Sequence, residues 1–193
     1  AVVTFLATMS VVRGINGGVK VLSNVNMLVA LGLLIFVTIA GGMAGIKAIP
    51  TALMGYIENF IPLSNPHGRD DETWMQGWTV FYWAWWMSWS PFVGMFIARI
   101  SKGRTIREFI VAVLFIPTTV IIIWMAIFGG IAIDQVANKV GEIGINGLQD
   151  ITLSLFHTYD ALPMSSVLSV VSIGLIMVFF ITSSDSGSLV IDS

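Results

Sequence analysis

Six of the chain's seven tryptophans lie within a stretch of sixteen residues. They are Trp74, Trp78, Trp83, Trp85, Trp86 and Trp89. At about 100° per residue, one face of a helix would carry Trp78, Tyr82, Trp85 and Trp89, with Trp86 beside it. Such rings can bind a quaternary ammonium group, which has no N–H to donate, through cation–π contacts worth up to about 2 kcal/mol each. The alternative is that the rings only pack against neighbouring helices, but their density favours binding.

A proline follows the tryptophan cluster directly, in the sequence Ser88-Trp89-Ser90-Pro91. Proline within a helix removes one backbone hydrogen bond, and freed carbonyl groups at membrane depth are tolerated where they line a cavity. Interrupted helices of this kind mark substrate sites in transporters. We therefore expect an interrupted helix beside the rings, with a plain proline kink as the alternative.

A second group of potential ligands lies where the last apolar run gives way to hydroxyl groups, at Thr182 to Ser186. Hard cations prefer oxygen ligands, and half-helix ends coordinate Na⁺ in transporters. Serine and threonine in membrane helices also hydrogen-bond to the helix backbone. The residue types alone leave both interpretations open.

The elements that position these residues are predicted from the distribution of charge. Of the 193 residues, 56% are hydrophobic and 10% charged, whereas soluble domains have roughly 25% charged residues. A bilayer-spanning helix needs about 20 mostly apolar residues, and uncharged stretches cover 21–46, 73–98, 109–133 and 161–184, with a shorter one at 1–12. We predict an all-α protein of the cell membrane with these five membrane helices, the first of them truncated, and expect the chain to be part of a longer protein.

The connections between these stretches alternate in charge. Basic residues dominate the first and third, with Arg13, Lys20, Arg99, Lys102, Arg104 and Arg107, which places both on the cytoplasmic side. The second and fourth connections are acidic and face outward. Within the second, 49–60 has apolar residues at helical spacing and predicts an amphipathic external helix, with an ordered loop as the alternative.

Several function classes are excluded by composition. The net charge of −2 means that the chain lacks the excess of basic residues that a nucleic-acid partner would require. The predicted spans contain no His, Cys, Lys or Glu, so an enzyme, which needs a convergent catalytic group, is not expected. His67 and His157 are not accompanied by other residues that could bind a metal, and we assign them no role. A channel or structural bundle would explain the spans but not the mid-span tryptophans.

Two longer motifs resemble a known family. Residues 77–94 read GWTVFYWAWWMSWSPFVG and residues 98–109 read ARISKGRTIREF. Together they closely resemble the signature of the betaine/choline/carnitine transporters, and the resemblance extends over essentially the whole chain. It implies part of a LeuT-like bundle of inverted repeats, with the five spans corresponding to helices six to ten of about twelve. It also implies a homotrimer for the full-length parent.

The resemblance implies roles for individual residues. Trp86 matches the tryptophan of the central ammonium-binding box, Phe81 and Trp85 line its cavity, and Trp89 matches a ring on the inward exit path. Phe92 and Phe96 resemble the gate beyond it. Phe179, by its backbone carbonyl, and the hydroxyls of Thr182 and Ser183 resemble the family's sodium site.

We therefore expect secondary active uptake of a quaternary-ammonium solute such as glycine betaine or choline, with Na⁺ as the coupling ion and no other cofactor. Retention of Ser88 to Pro91 and of Thr182 and Ser183 favours sodium symport. A proton-coupled choline carrier and a substrate antiporter of the same family remain alternatives. The basic run from Arg99 to Arg107 would suit anionic membrane lipids, and osmotic regulation is a further expectation from the family.

Overall fold

The computed structural model describes residue 8 and residues 20–65, 70–147 and 150–191. The predicted helix at 1–12, apart from residue 8, and Arg13 and His67 lie outside this part of the chain. Within it the backbone is helical and contains no strand. The helices of more than one turn are α1 (Lys20–Ala40), α2 (Met43–Ser64), α4 (Phe81–Ile100), α5 (Ile106–Asn138), α6 (Gly141–Asn146), α7 (Ser154–Asp160) and α8 (Ser165–Ile191). A single turn, α3 (Glu72–Trp74), and a π-helical segment (Met75–Val80) lead into α4, and a 3₁₀ turn (Ile151–Leu153) precedes α7.

Two glycines separate α1 from α2, within the stretch 21–46 predicted as one span. Helix α1 ends at Ala40, and Gly42 has φ 66° and ψ −147°, a backbone conformation that glycine adopts without steric cost. The chain then continues as α2 through the predicted external helix at 49–60. The predicted break before residue 49 thus lies earlier, at Gly41 and Gly42.

Small residues allow α2 to pack closely on α5. Gly45 is buried, and a Cβ atom built on it would lie 3.2 Å from the carbonyl oxygen of Ile127. A Cβ atom on Gly130 would collide with the Cβ atom of Ala48. Close approach of backbones through glycine and alanine is typical of helix contacts in membranes.

The core lies where α1, α5, α7 and α8 meet. Its buried residues are Leu33, Val37, Ile127, Phe128, Ile131, Tyr159, Leu162, Leu168 and Leu175. Two polar contacts attach α7 to the longer helices: the Tyr159 hydroxyl lies 2.8 Å from Ser172 Oγ, and Gln135 Nε2 donates to the carbonyl oxygen of Thr158 at 3.0 Å. The α7 segment of the fourth connection therefore packs on α5 and α8.

Three helices of the described chain are long and apolar enough to cross a membrane: Lys20–Ala40, Ile106–Asn138 and Ser165–Ser184. At 1.5 Å per residue, the 33 residues of α5 extend about 50 Å, beyond a hydrocarbon core of about 30 Å. The predicted tryptophan-rich span at 73–98 is not among the three, since Trp and Tyr carry a polar group on each ring. Its crossing of the membrane stays a prediction.

Candidate functional site

The aromatic rings of α4 form a continuous series along one side of the helix. Phe81 and Trp85 have ring centroids 5.6 Å apart, Trp85 and Trp89 are stacked at 5.9 Å with 9° between their planes, and Phe92 meets Trp89 edge-on at 5.4 Å. Three of the four predicted substrate residues and one predicted gate residue thus touch in sequence. The fourth substrate residue, Trp86, is more exposed than its neighbours, at 62%.

Helix α4 passes through Pro91 without interruption. The prediction of an interrupted helix at Ser88-Trp89-Ser90-Pro91 was therefore wrong. The Ser90 hydroxyl donates to the carbonyl oxygen of Met87 at 2.9 Å. This is the oxygen that would otherwise accept from residue 91, which lacks an N–H. A neighbouring hydroxyl therefore occupies the carbonyl that was expected to be free.

The backbone irregularity of this region lies earlier, in the π-helical segment Met75–Val80. Here the N–H of Phe81 donates to the carbonyl of Gln76, five residues back rather than four. Wide turns of this kind often occur at functional sites in helices. The segment contains no proline, and no residue pattern in the sequence predicts it.

A cleft of about 350 Å³ lies between α1, α4 and α8. Its lining residues are Ser23, Trp89, Phe92, Val93, Phe96, Thr182 and Ser183. The structure thus brings both predicted gate residues and one substrate residue together with both predicted sodium-binding hydroxyls. Phe81, Trp85 and Trp86 lie nearer the start of α4. They are not among the described residues that line the cleft. Ser23 was missed by the sequence analysis.

The predicted sodium-site residues lie within α8 rather than at its end. The helix continues past Ser184, the predicted end of this span, to Ile191. The Thr182 hydroxyl donates to the carbonyl oxygens of Val178 and Phe179, each at 3.1 Å. Two oxygens 3.1 Å apart, such as Thr182 Oγ1 and the Phe179 carbonyl, can both lie roughly 2.4 Å from one hard cation. The spacing therefore suits a shared ligand pair once the hydroxyl proton turns away.

Comparison with known protein families identifies the family of this chain. A family model described as BCCT, betaine/carnitine/choline family transporter, matches residues 1–193. The chain belongs to the BCCT family. The resemblance carried by residues 77–94 and 98–109 is therefore confirmed.

Curated relatives of this BCCT chain are themselves named as transporters. A glycine betaine/proline/choline/ectoine transporter of Vibrio parahaemolyticus is 70% identical over 193 residues, which cover 100% of this chain and 34% of the relative. Glycine betaine transporter 1 of the same species is 67% identical over 192 residues, covering 100% and 37%. A glycine betaine transporter of Bacillus subtilis is 42% identical over 194 residues, covering 98% and 37%. The chain spans about a third of the length of these relatives.

Family membership decides the broad class of this protein. BCCT proteins are membrane transporters, so the chain belongs to a membrane protein, and these relatives are named as transporters and not as enzymes. The channel alternative finds no support among these relatives.

None of the side chains that line the cleft in the described structure carries a charge. In the described part of the chain, no group of three or more His, Cys, Asp or Glu side chains could hold a metal ion. The cleft instead combines neutral hydroxyl oxygens with the faces and edges of aromatic rings. His157 lies apart from it, with Nδ1 3.8 Å from an Asp160 carboxylate oxygen on the surface.

Proposed function

We propose that the whole protein to which this chain belongs is a sodium symporter for quaternary-ammonium solutes such as glycine betaine or choline. The observation that carries the proposal is the cleft of α1, α4 and α8, in which Trp89 and Phe92 face the same space as Thr182 and Ser183. A coupled transporter needs its substrate path and its ion site to be close, so that occupancy of one changes the energy of the other.

The aromatic rings supply the interaction suited to a quaternary ammonium group. Trp85 and Trp89 are stacked on each other, so a substrate must bind to ring surfaces that this stack leaves open. Trp86 and Phe81 are exposed to 62% and 50%, which leaves their rings available to partners from outside this chain. The names of the relatives, which include glycine betaine and choline, support this class of substrate.

Helix α8 supplies the ion ligands: Thr182 and Ser183 line the cleft, and Phe179 lies about one turn earlier in the helix. Na⁺ is a hard cation that binds oxygen, and the Phe179 carbonyl lies 3.1 Å from Thr182 Oγ1. Because these ligands are neutral, they suit a monovalent cation better than a divalent one, whose larger desolvation cost calls for carboxylates. We further propose that the whole protein has a LeuT-like inverted-repeat bundle, forms a homotrimer and binds anionic lipids with its basic loop from Arg99 to Arg107.

Uptake of labelled glycine betaine and choline by cells expressing the full-length protein tests the proposal. We expect saturable uptake in sodium medium, little uptake in potassium medium, and loss of uptake in Trp86→Leu. Trp83→Leu is the matched control, since Trp83 lies on the same helix and is similarly exposed, at 67%, but is not among the predicted substrate residues. Surface expression of each variant is measured alongside uptake.

The possible results distinguish the alternatives. Equal uptake in sodium and potassium would overturn sodium coupling, and a dependence on external pH or on internal substrate would then indicate a proton-coupled carrier or an antiporter. Uptake by Trp86→Leu equal to that of Trp83→Leu would assign Trp86 to packing alone.

A further inference from the structure

Helix α4 meets the rest of the described chain near Phe92. The side chains from Phe81 to Pro91 are exposed, whereas those of Phe92, Val93 and Phe96 are half-buried. The same three residues line the cleft together with residues of α8. The position of Phe92 therefore affects the spacing of α4 and α8 at the cleft.

The residue of α8 that contacts Phe92 is a glycine. Gly187 follows Ser183 by four residues, so the two lie on the same helix face, and Ser183 lines the cleft. A Cβ atom built on Gly187 would lie 3.6 Å from Phe92 Cζ, which is the only atom of another described helix within 4 Å of it. The tip of the Phe92 ring therefore rests against a part of α8 that has no side chain.

The ring of Phe92 is also held on its other side. Trp89 meets Phe92 edge-on, with ring centroids 5.4 Å apart, and is itself stacked on Trp85. A methyl group at position 187 would make an ordinary van der Waals contact with the ring. A larger side chain fits only if the ring moves or α4 separates from α8, because closely packed side chains accommodate added volume poorly.

We infer that Gly187 is a positioning residue, which seats the ring of Phe92 against α8 and thereby sets the width of the cleft between α4 and α8. The contact itself can be tested without transport. Its consequence for uptake rests on the proposed function, in which the cleft belongs to the substrate path. A cleft propped open by a bulky residue at position 187 could not close during the transport cycle, and closure is a step of such cycles.

The width of the cleft can be measured by chemical access to position 93, which lines it. Val93→Cys is introduced into the full-length protein with any other cysteine removed, and a membrane-impermeant maleimide is added to inside-out vesicles. Gly187→Ala should leave the rate of modification unchanged. Gly187→Leu should raise it about tenfold, because overpacking displaces the neighbouring ring or helix. Gly174→Leu is the matched control on the same helix, since a Cβ atom there has nothing within 4 Å in the described chain.

An exchange of the two side chains tests whether Gly187 acts through Phe92. Phe92→Ala removes the ring and should raise the rate of modification, and so should Gly187→Phe, which adds a second ring. The double variant Phe92→Ala/Gly187→Phe supplies one ring from the α8 side and should return toward the wild-type rate. Such non-additivity is expected only of residues in contact. The maximal rate of betaine uptake should be lowest in the two single variants and should recover in the exchange.

The outcomes separate this inference from the proposed function. Equal modification rates in Gly187→Leu and Gly174→Leu would overturn the inference, as would an exchange no closer to the wild type than its two single variants. Where Gly187→Leu and Gly187→Phe do not reach the membrane, recovery of surface expression in the exchange supports the contact, and continued failure overturns it. Absence of saturable betaine uptake by the wild type would overturn the proposed function, while the modification rates would still decide the contact.

Discussion

The hydroxyl of Ser90 donates a 2.9 Å hydrogen bond to the carbonyl oxygen of Met87, which Pro91 leaves without its helical donor. Nearby serine side chains can satisfy a carbonyl freed by proline in a membrane helix. Helix α4 keeps its course past Pro91, between the touching rings of Trp85 and Trp89 and the residues of the cleft. Helix α5 likewise continues past Pro117, which follows an isoleucine, so the Ser90 hydrogen bond adds stability to a helix that proline alone does not break.

Replacement of Ser90 by alanine should destabilise the protein. Ser90→Ala leaves the Met87 carbonyl without a donor, which we expect to cost about 1 kcal/mol of unfolding free energy. Ser88→Ala is the matched control: its hydroxyl donates to the Ala84 carbonyl at 2.8 Å, but that oxygen also faces the backbone N–H of residue 88, so its loss should cost less. Thermal unfolding of the purified full-length protein in detergent measures both.

The double variant Ser90→Ala/Pro91→Ala tests the cause of this destabilisation. Alanine at position 91 restores the backbone N–H, so the loss caused by Ser90→Ala should be much smaller in this background. An equal loss with and without Pro91 would show that Ser90 acts through some other contact.

Two adjacent glycines of α5 should respond differently to alanine. A Cβ atom on Gly130 would collide with Ala48 and lie 3.2 Å from the Ala44 carbonyl oxygen, so Gly130→Ala must push α2 and α5 apart, at a cost of about 1–3 kcal/mol. Gly129 has nothing within 4 Å of such an atom, and Gly129→Ala should be neutral or slightly stabilising, because alanine favours helix. Melting temperatures of the two variants check this, and equal values would contradict the close packing of α2 on α5.

Much of the helical architecture could be predicted from the sequence, because an uncharged stretch and the spacing of aromatic rings are both properties of a single helix. The stacking of Trp85 on Trp89 follows from their four-residue separation. The contribution of Ser23 could not be predicted, since it depends on which face of α1 meets α8, far along the chain. Periodicity gives the faces of a helix but not their partners.

The prediction of an interrupted helix at Pro91 was wrong for a different reason. The prediction treated proline as a break, whereas α4 continues past Pro91 and α5 past Pro117. At Pro91 the hydroxyl of Ser90 also replaces the lost hydrogen bond. The π-helical segment at Met75–Val80 was missed because a change from four-residue to five-residue hydrogen bonding involves no particular residue type.

Substitutions of Trp89 should distinguish ring chemistry from packing. Trp89→Phe keeps an aromatic face, although a weaker one, and should raise the KM for betaine a few-fold. Trp89→Leu removes the ring, and loss of a contact worth about 1–2 kcal/mol should raise the KM roughly 5- to 30-fold. Initial rates of labelled betaine uptake at saturating sodium give these values. Equal effects of Phe and Leu would show that the indole only fills space beside Phe92.

The contact between α7 and α8 should appear as an energetic coupling between Tyr159 and Ser172. Tyr159 is fully buried, and its hydroxyl lies 2.8 Å from Ser172 Oγ. Tyr159→Phe and Ser172→Ala should each cost about 1 kcal/mol, since each leaves a buried hydroxyl without its partner. The double variant should cost less than the sum of the two. Strictly additive losses of unfolding free energy would contradict the hydrogen bond.

The same tyrosine should make stability depend on pH in the alkaline range. Burial raises the pKa of Tyr159 above its ordinary value of 10.0, and the hydrogen bond to Ser172 opposes this only in part. Above about pH 10, Tyr159 of the unfolded chain loses its proton while that of the folded chain keeps it, so the folded state binds more protons and its stability falls as pH rises. The Tyr159→Phe variant lacks this group but shares all other ionisable groups. The stability advantage of the wild type over Tyr159→Phe should therefore be constant below about pH 10 and shrink above it, as measured by unfolding midpoints in detergent. An advantage that grows with pH would place a charged tyrosinate in the folded protein and contradict its burial.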